Sequence, residues 1–363
     1  MGNAIKVLIV DDSAFARLSI SRELKSAGGI EVLDFARNGY EALDKIKQLK
    51  PDVVTLDVEM PDLNGLQTLE KIMSECPTPV VMLSSVTGSG TQATLRALEI
   101  GAVDFFLKYT LANPVGSGDE ADTLKNKIFM ASKVRLTRRE AGLPAPPAKT
   151  KPAKTPETRQ PATTVVMIGS STGGPKALYQ LVPALPADLP AAFLIVQHMP
   201  PGFTDSLANR LDQLSGLAVK EAATGDVLYN GAAYVAKGGY HMVIEKGGLI
   251  SLNQNPNVCG VRPSVDVTMQ SLPAVYGKAI LGVVLTGMGT DGTHGSQLIK
   301  QNGGQIIAED ESTCVVWGMP KSVAEAGYAD LVLPLPRIAN AVTAILKGQN
   351  QGVNDERSRV LIS

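Results

Sequence analysis

Cysteine is scarce in this chain. Cys76, Cys259 and Cys314 are its three cysteines in 363 residues; they form no Cys-x-x-Cys pair and cannot all pair with one another. A disulfide scaffold is therefore not expected, and a reducing cytoplasm is the natural compartment. An excess of one charge is also missing: Lys+Arg 34 against Asp+Glu 35 gives a net charge of −1. Without a basic surplus to hold a phosphate backbone, a dedicated nucleic-acid binder is not expected. No apolar run approaches the ~20 residues needed to cross a bilayer, so direct membrane insertion is not expected. The start, Met-Gly-Asn-Ala-Ile-Lys, lacks a signal-peptide core, and Lys6 stands where a myristoylation motif wants Ser or Thr. Histidine is as rare as cysteine, and no internal repeat is visible.

Apolar side chains are plentiful. They make up 44% of the chain against 19% charged, enough for real cores. A prior of roughly 150 residues per domain gives two or three domains. One stretch divides the chain: residues 138–162 read RREAGLPAPPAKTKPAKTPETRQPA. Its prolines remove amide donors and disfavour helix before them, and almost nothing in it is large and apolar. Such a segment is expected to be an extended linker. The expected organisation is a first domain over 1–124, a connecting helix and proline-rich linker over 125–160, and a second domain over 161–349. The connecting helix is expected around Asp119–Thr137, and the polar tail after Lys347 is expected to fray.

In the first domain, short apolar runs alternate with amphipathic stretches. Strands are expected at Ile5–Val10, Ile30–Ala36, Val53–Leu56, Val80–Leu83 and Val103–Leu107, with helices such as Ala14–Ala27 and Tyr40–Leu49 between them. The runs are continuously apolar, as in a parallel sheet covered on both faces. This pattern predicts a small doubly wound α/β domain, whose ligands collect at the carboxyl ends of its strands. Asp11 and Asp12 follow the first strand, Asp57 the third, Ser84 and Ser85 end the fourth, and Lys108 ends the fifth. Carboxylates converging there repel one another unless a hard cation such as Mg²⁺ lies among them. A cation would also neutralise a phosphoryl oxygen while one carboxylate attacks phosphorus. The lysine adds a second positive charge and the serine a hydrogen bond. Any one aspartate alone would read as a helix cap.

These motifs, VLIVDDS, TLDVEMPDLNGL, VVMLSS and GAVDFFLK, resemble the receiver domain of bacterial response regulators, a flavodoxin-like fold with a parallel five-stranded sheet. The resemblance implies that Asp57 is phosphorylated. It implies that Asp12, Asp57 and the carbonyl of Glu59 hold Mg²⁺, with Asp11 acting mainly through water. Ser84 would be the switch hydroxyl and Lys108 the partner lysine. One departure is Tyr109, where such receivers usually carry proline. A non-proline cis bond costs about 3 kcal/mol, so the cis peptide that proline would supply is not expected.

The second domain opens on TTVVMIGSSTGGPKAL. A strand over Val165–Ile168 runs into a Gly-rich turn, and a helix follows from Pro175. The turn fits neither a P-loop nor a dinucleotide fingerprint. Gly169-Ser170-Ser171-Thr172-Gly173 does fit G-x-S-x-G, which lifts a serine to a sheet edge. By itself the motif is compatible with a nucleophile, an anion site or a plain turn. A nucleophile needs a base, and the histidines are His198, His241 and His294. His198 ends the apolar strand Ala192–Val196 and would share a crevice with Ser171. His241 reads as a surface or hairpin residue. His294, in the Gly-rich turn after Ala279–Leu285, also lies within reach of the crevice, but strand-end placement favours His198. Asp291, in the same turn, would orient the base, although alone it would read as a turn residue. The order Ser171, His198, Asp291 matches none of the familiar triad orders.

GSSTGG, QHMPPGFT, RPSVDV, LTGMGTDG and CVVWGMP, in this order behind a receiver and a linker, resemble the chemotaxis-specific protein-glutamate methylesterases, which are also glutamine deamidases. The resemblance implies a doubly wound α/β hydrolytic domain with a mainly parallel sheet. It gives Ser171 as nucleophile, His198 as base, Asp291 as its orienting acid, and the Met288 amide as part of the oxyanion hole. The family usually has His-Arg-Pro-Ser-Val-Asp, and Val261 replaces that histidine. No cofactor is implied for this domain. The implied substrates are methyl-accepting chemoreceptors and the implied phosphodonor is a chemotaxis histidine kinase. The implied role is adaptation in chemotaxis, with the receiver inhibiting the hydrolase until Asp57 is phosphorylated.

Overall fold

The computed structural model describes residues 4–26, 28–84, 88–108, 123–134 and 160–348. Ser85, Tyr109 and linker residues 138–159 lie outside these. The chain divides into two compact units, Met1–Ala145 and Pro146–Ser363.

The first unit runs β1 (Ile5–Val10), α1 (Ala14–Ser26), β2 (Ile30–Ala36), α2 (Gly39–Leu49), β3 (Val53–Asp57), α3 (Gly65–Glu75), β4 (Val80–Ser84), α4 (Gly88–Ile100), β5 (Asp104–Leu107) and α5 (Leu124–Ala131). The strands stand in the order β2-β1-β3-β4-β5, parallel at each pairing. Every residue of β3, β4 and β5 is buried, which is why these strands read as unbroken apolar runs. Polar caps set the helix starts: Asn64 accepts from the Gln67 amide at 2.9 Å while the Gln67 side chain accepts from the Asn64 amide, a capping box that opens α3. The expected connecting helix appears within the described residues as α5. It buries Leu124, Ile128 and Ala131 and packs on β4 and β5, so it belongs to the first unit's core.

The second unit is built around seven strands: β6 (Val165–Ser170), β7 (Ala192–Gln197), β8 (Ala218–Glu221), β9 (Ala232–Val235), β12 (Ile280–Val284), β13 (Gln305–Glu309) and β14 (Leu331–Leu333). Their order is β14-β13-β12-β6-β7-β9-β8, again parallel at each pairing. An antiparallel hairpin, β10 (His241–Glu245) with β11 (Leu249–Asn253), stands apart from the sheet. The helices are α6 (Gly174–Leu181), α7 (Phe203–Leu214), α8 (Val265–Ser271), α9 (Pro273–Tyr276), α10 (Thr293–Gln301), α11 (Met319–Glu325) and α12 (Leu335–Leu346). The two central strands, β6 and β7, are buried at every position. Strand order reverses direction at β6, with β7 on one side and β12 on the other. A crevice opens beyond the carboxyl ends of the strands at such a point, and that is where a ligand site belongs.

All three cysteines are free. Among the described residues no helix is long and apolar enough to cross a membrane.

Candidate active site and phosphoacceptor site

In the first unit the expected residues converge. Asp11, Asp12 and Asp57 bring carboxylate oxygens within 4.8 Å of one another. Lys108 Nζ reaches Asp11 Oδ2 at 2.7 Å and Asp57 Oδ2 at 2.6 Å. Burial pushes the Asp57 carboxyl up to about 6, and the Lys108 ammonium pulls against that rise. Three carboxylates face one lysine, so the local charge is negative, and hard oxygen donors of this kind suit Mg²⁺. The Glu59 amide lies 3.4 Å from Asp57 Oδ1, which folds the loop after β3 back over the cluster. Gly65 allows that fold, because a Cβ there would sit 2.1 Å from the Asp57 carbonyl oxygen. Ser84 is fully buried and accepts from the Thr94 hydroxyl at 2.7 Å, a partner on α4 that the sequence had not singled out.

In the second unit Ser170 and Ser171 have opposite fates. Ser170 closes β6, is fully buried, and donates to Gln197 Oε1 at 2.7 Å. Gln197 Nε2 donates to the carbonyls of Ser171 at 2.9 Å and His198 at 3.1 Å. Ser171, one residue on, is half-buried in the turn, with its amide donating to the Thr286 carbonyl at 3.0 Å. The turn is tight: a Cβ at Gly174 would lie 1.9 Å from Gln197 Oε1, and Gly173 adopts φ +79°. The second serine of the pair is thus the one offered to the crevice.

His198 follows β7 and its Nε2 lies 2.8 Å from Asp291 Oδ2. Asp291 is 2% exposed and also accepts from the Ser264 hydroxyl at 2.9 Å and from the amides of Val265 at 2.7 Å and Asp266 at 2.9 Å. Burial alone would raise its carboxyl, but His198 and the backbone donors outweigh that and hold it below the usual carboxylate range. Asp291 therefore stays ionised beside the imidazole. Asp266 returns the favour at the head of α10, accepting from the amides of Gly292 at 3.0 Å and Gly295 at 2.7 Å. The RPSVDV segment is thus the cradle of the acid, a role its sequence alone did not disclose.

His294 sits on α10 and is exposed. His241 opens the β10–β11 hairpin as expected, but it is not a surface residue. It is 1% exposed, with Nε2 3.1 Å from the Pro256 carbonyl, and burial lowers its imidazole below the usual range. The reason is that β10 packs against α8, which an isolated strand pattern does not reveal.

Met288 follows β12. Among the described residues its amide donates to no protein acceptor, so the donor is available. Gly287 brings it close to the serine: a Cβ on Gly287 would lie 2.8 Å from Ser171 Cβ and 3.1 Å from the Ser171 amide nitrogen. The same Cβ would lie 2.4 Å from Met319 Sδ, so Gly287→Ala must displace Met319 together with the serine or the loop. Misplacement on the scale of 1 Å is expected to cost roughly 10²-fold in kcat. Turnover measured beside the melting temperature checks this, and an unchanged kcat would show that the contact is not critical.

A parallel sheet with an acidic, lysine-capped pocket, followed by a second parallel sheet with serine, histidine and aspartate at its strand ends, defines a receiver joined to a hydrolytic α/β domain. Comparison with known proteins agrees. Residues 7–113 match the response regulator receiver domain family and residues 166–342 the CheB methylesterase family. The protein-glutamate methylesterase/protein-glutamine glutaminase of Symbiobacterium thermophilum is 49% identical over 348 residues, covering 93% of this chain and 96% of its own. The protein of the same name from Pyrococcus horikoshii is 45% identical over 362 residues, 97% of each chain. The solved catalytic domain of Thermotoga maritima CheB methylesterase is 47% identical, covers 50% of this chain and 98% of its own, and has a TM-score of 0.49. The chain belongs to the protein-glutamate methylesterase/protein-glutamine glutaminase family, carboxylic ester hydrolases that carry a receiver domain.

Proposed function

We propose that Ser171, His198 and Asp291 carry out hydrolysis of glutamate methyl esters on chemoreceptors, and that Asp57 controls it. The observation that supports this most directly is the 2.8 Å contact of His198 with Asp291 at the strand ends beside the serine turn. With Nε2 engaged by the carboxylate, His198 Nδ1 is the nitrogen left to accept the serine proton. Ser171 Oγ attacks the γ-carbonyl of the methylated glutamate, and the Met288 amide holds the oxyanion. The proton returns through His198 to methanol as it leaves. Water, deprotonated by His198, then hydrolyses the acyl-enzyme to free glutamate. A glutamine side chain reaches the same acyl-enzyme by releasing ammonia, so deamidation needs no second site. Release of radiolabelled methanol from methylated receptor membranes tests the reading; a purified full-length protein that releases none would overturn it.

For the receiver, Asp11, Asp12, Asp57 and the Glu59 carbonyl would hold Mg²⁺, with Asp11 acting mainly through water. That ion would neutralise phosphoryl oxygens as Asp57 accepts the group from a chemotaxis histidine kinase. Ser84 and Lys108 would then be drawn toward the acyl phosphate. The unphosphorylated receiver would restrain the hydrolase, and phosphorylation of Asp57 would relieve that restraint by shifting a pre-existing equilibrium. Deleting residues 1–137 is expected to raise esterase activity above that of the unphosphorylated full chain, about 5- to 30-fold for a shift of ~1–2 kcal/mol. Beryllofluoride with Mg²⁺ should activate the full chain but neither the truncated form nor Asp57→Ala. Lower activity on truncation, with no response to beryllofluoride, would make the receiver a docking tether instead.

A further inference from the structure

Glu309 is the last residue of β13 and is fully buried. The three residues before it, Ile306, Ile307 and Ala308, are buried apolar side chains, and another would serve if volume were all this position supplied. A buried carboxyl is unfavourable unless donors satisfy it. Its donors here are neutral: the Thr286 amide at 2.8 Å to Oε2 and the Thr313 hydroxyl at 2.9 Å to Oε1, while the Cys314 thiol lies against the Glu309 main-chain carbonyl.

Those donors lead to the ester-cleaving centre. The Thr286 carbonyl accepts the Ser171 amide at 3.0 Å, and its hydroxyl lies 3.0 Å from the Thr172 carbonyl. Two residues further on is the free amide of Met288. On the other arm, Thr313 Oγ1 accepts the Leu335 amide at 3.0 Å, which ties the carboxyl to the head of α12. The loop after Thr313 returns to the same place, where the Val316 amide donates to the Thr286 hydroxyl at 2.9 Å and the Val316 carbonyl accepts the Gly287 amide at 3.0 Å. One carboxyl thus anchors both loops that frame the serine.

We infer that Glu309 is a positioning residue for ester cleavage: by clamping Thr286 it fixes the Ser171 turn and the Met288 amide relative to each other. This rests on the esterase reading above. Glu309 lies beneath the loops and touches no substrate, so its loss should slow the chemical step and leave receptor binding in place.

The test is methanol release from methylated receptor membranes by the full-length chain, comparing wild type with Glu309→Leu, Glu309→Gln and Thr313→Val. Glu309→Leu is expected to lose roughly ten- to a hundredfold in kcat, with KM within about twofold of wild type. Glu309→Gln keeps one oxygen to accept the Thr286 amide and presents an amide N–H to the Thr313 hydroxyl, which can accept it, so it should recover to within about threefold of wild type. Thr313→Val removes one donor and should lower kcat a few-fold with KM unchanged; if Glu309→Leu does not fold, this variant decides. Full kcat in Thr313→Val or Glu309→Leu, or a Gln variant as impaired as Leu, overturns the assignment. A wild type that releases no methanol overturns the esterase reading instead, and the two failures are distinct.

Discussion

Ser171→Ala is expected to end methanol release, with kcat falling by roughly 10⁴- to 10⁶-fold as in other serine hydrolases stripped of their nucleophile. Its neighbour supplies the control. Ser170 Oγ is buried against Gln197 Oε1 and has no route to a substrate. Ser170→Ala leaves that amide oxygen unsatisfied, so the expected cost is about 1–3 kcal/mol of stability, while most of the turnover persists. The pair is best read together, with turnover set beside the melting temperature for each variant. Loss of activity in folded Ser170→Ala, with Ser171→Ala still active, would reverse the assignment.

The histidines give a second large and selective effect. In the proposed mechanism His198→Gln removes the group that moves the proton at both acylation and hydrolysis, and a fall of about 10³- to 10⁵-fold is expected. His294→Gln should stay within about twofold of wild type, because an exposed histidine on α10 has no bond to the acid. His241→Gln is a different case. It disturbs a buried ring and should reduce stability more than turnover. The informative comparison is His198 against His294: equal damage at both would remove the reason for choosing the strand-end residue.

Much of this was legible because parallel sheets write themselves plainly. Runs such as VVMIGS and AFLIVQ are buried at every position, and chemistry at their carboxyl ends follows from topology. Asp57, Lys108, Ser171 and His198 could all be picked out by that rule. The supporting contacts were not legible, because they join residues far apart in the chain. Asp291 meets His198 across 93 positions and Ser264 across 27, and Glu309 meets Thr286 across 23. No local period encodes such pairs. Of the two readings for His241, surface or hairpin, the hairpin holds and the surface does not: the hairpin is buried by α8, and burial by a later element leaves no trace in the strand itself. The helix after the receiver shows the same limit. Its buried face, Leu124, Ile128 and Ala131, is covered by the strands before it.

Asp291 and Asp266 exchange places at the heads of α8 and α10, each carboxylate bonded to the other helix's first amides. The residue proposed to steer the imidazole is therefore also a rivet between two helices, so the proposed catalytic geometry and the helix packing are expected to melt together. In denaturant, esterase activity and the domain's ellipticity should disappear at one midpoint.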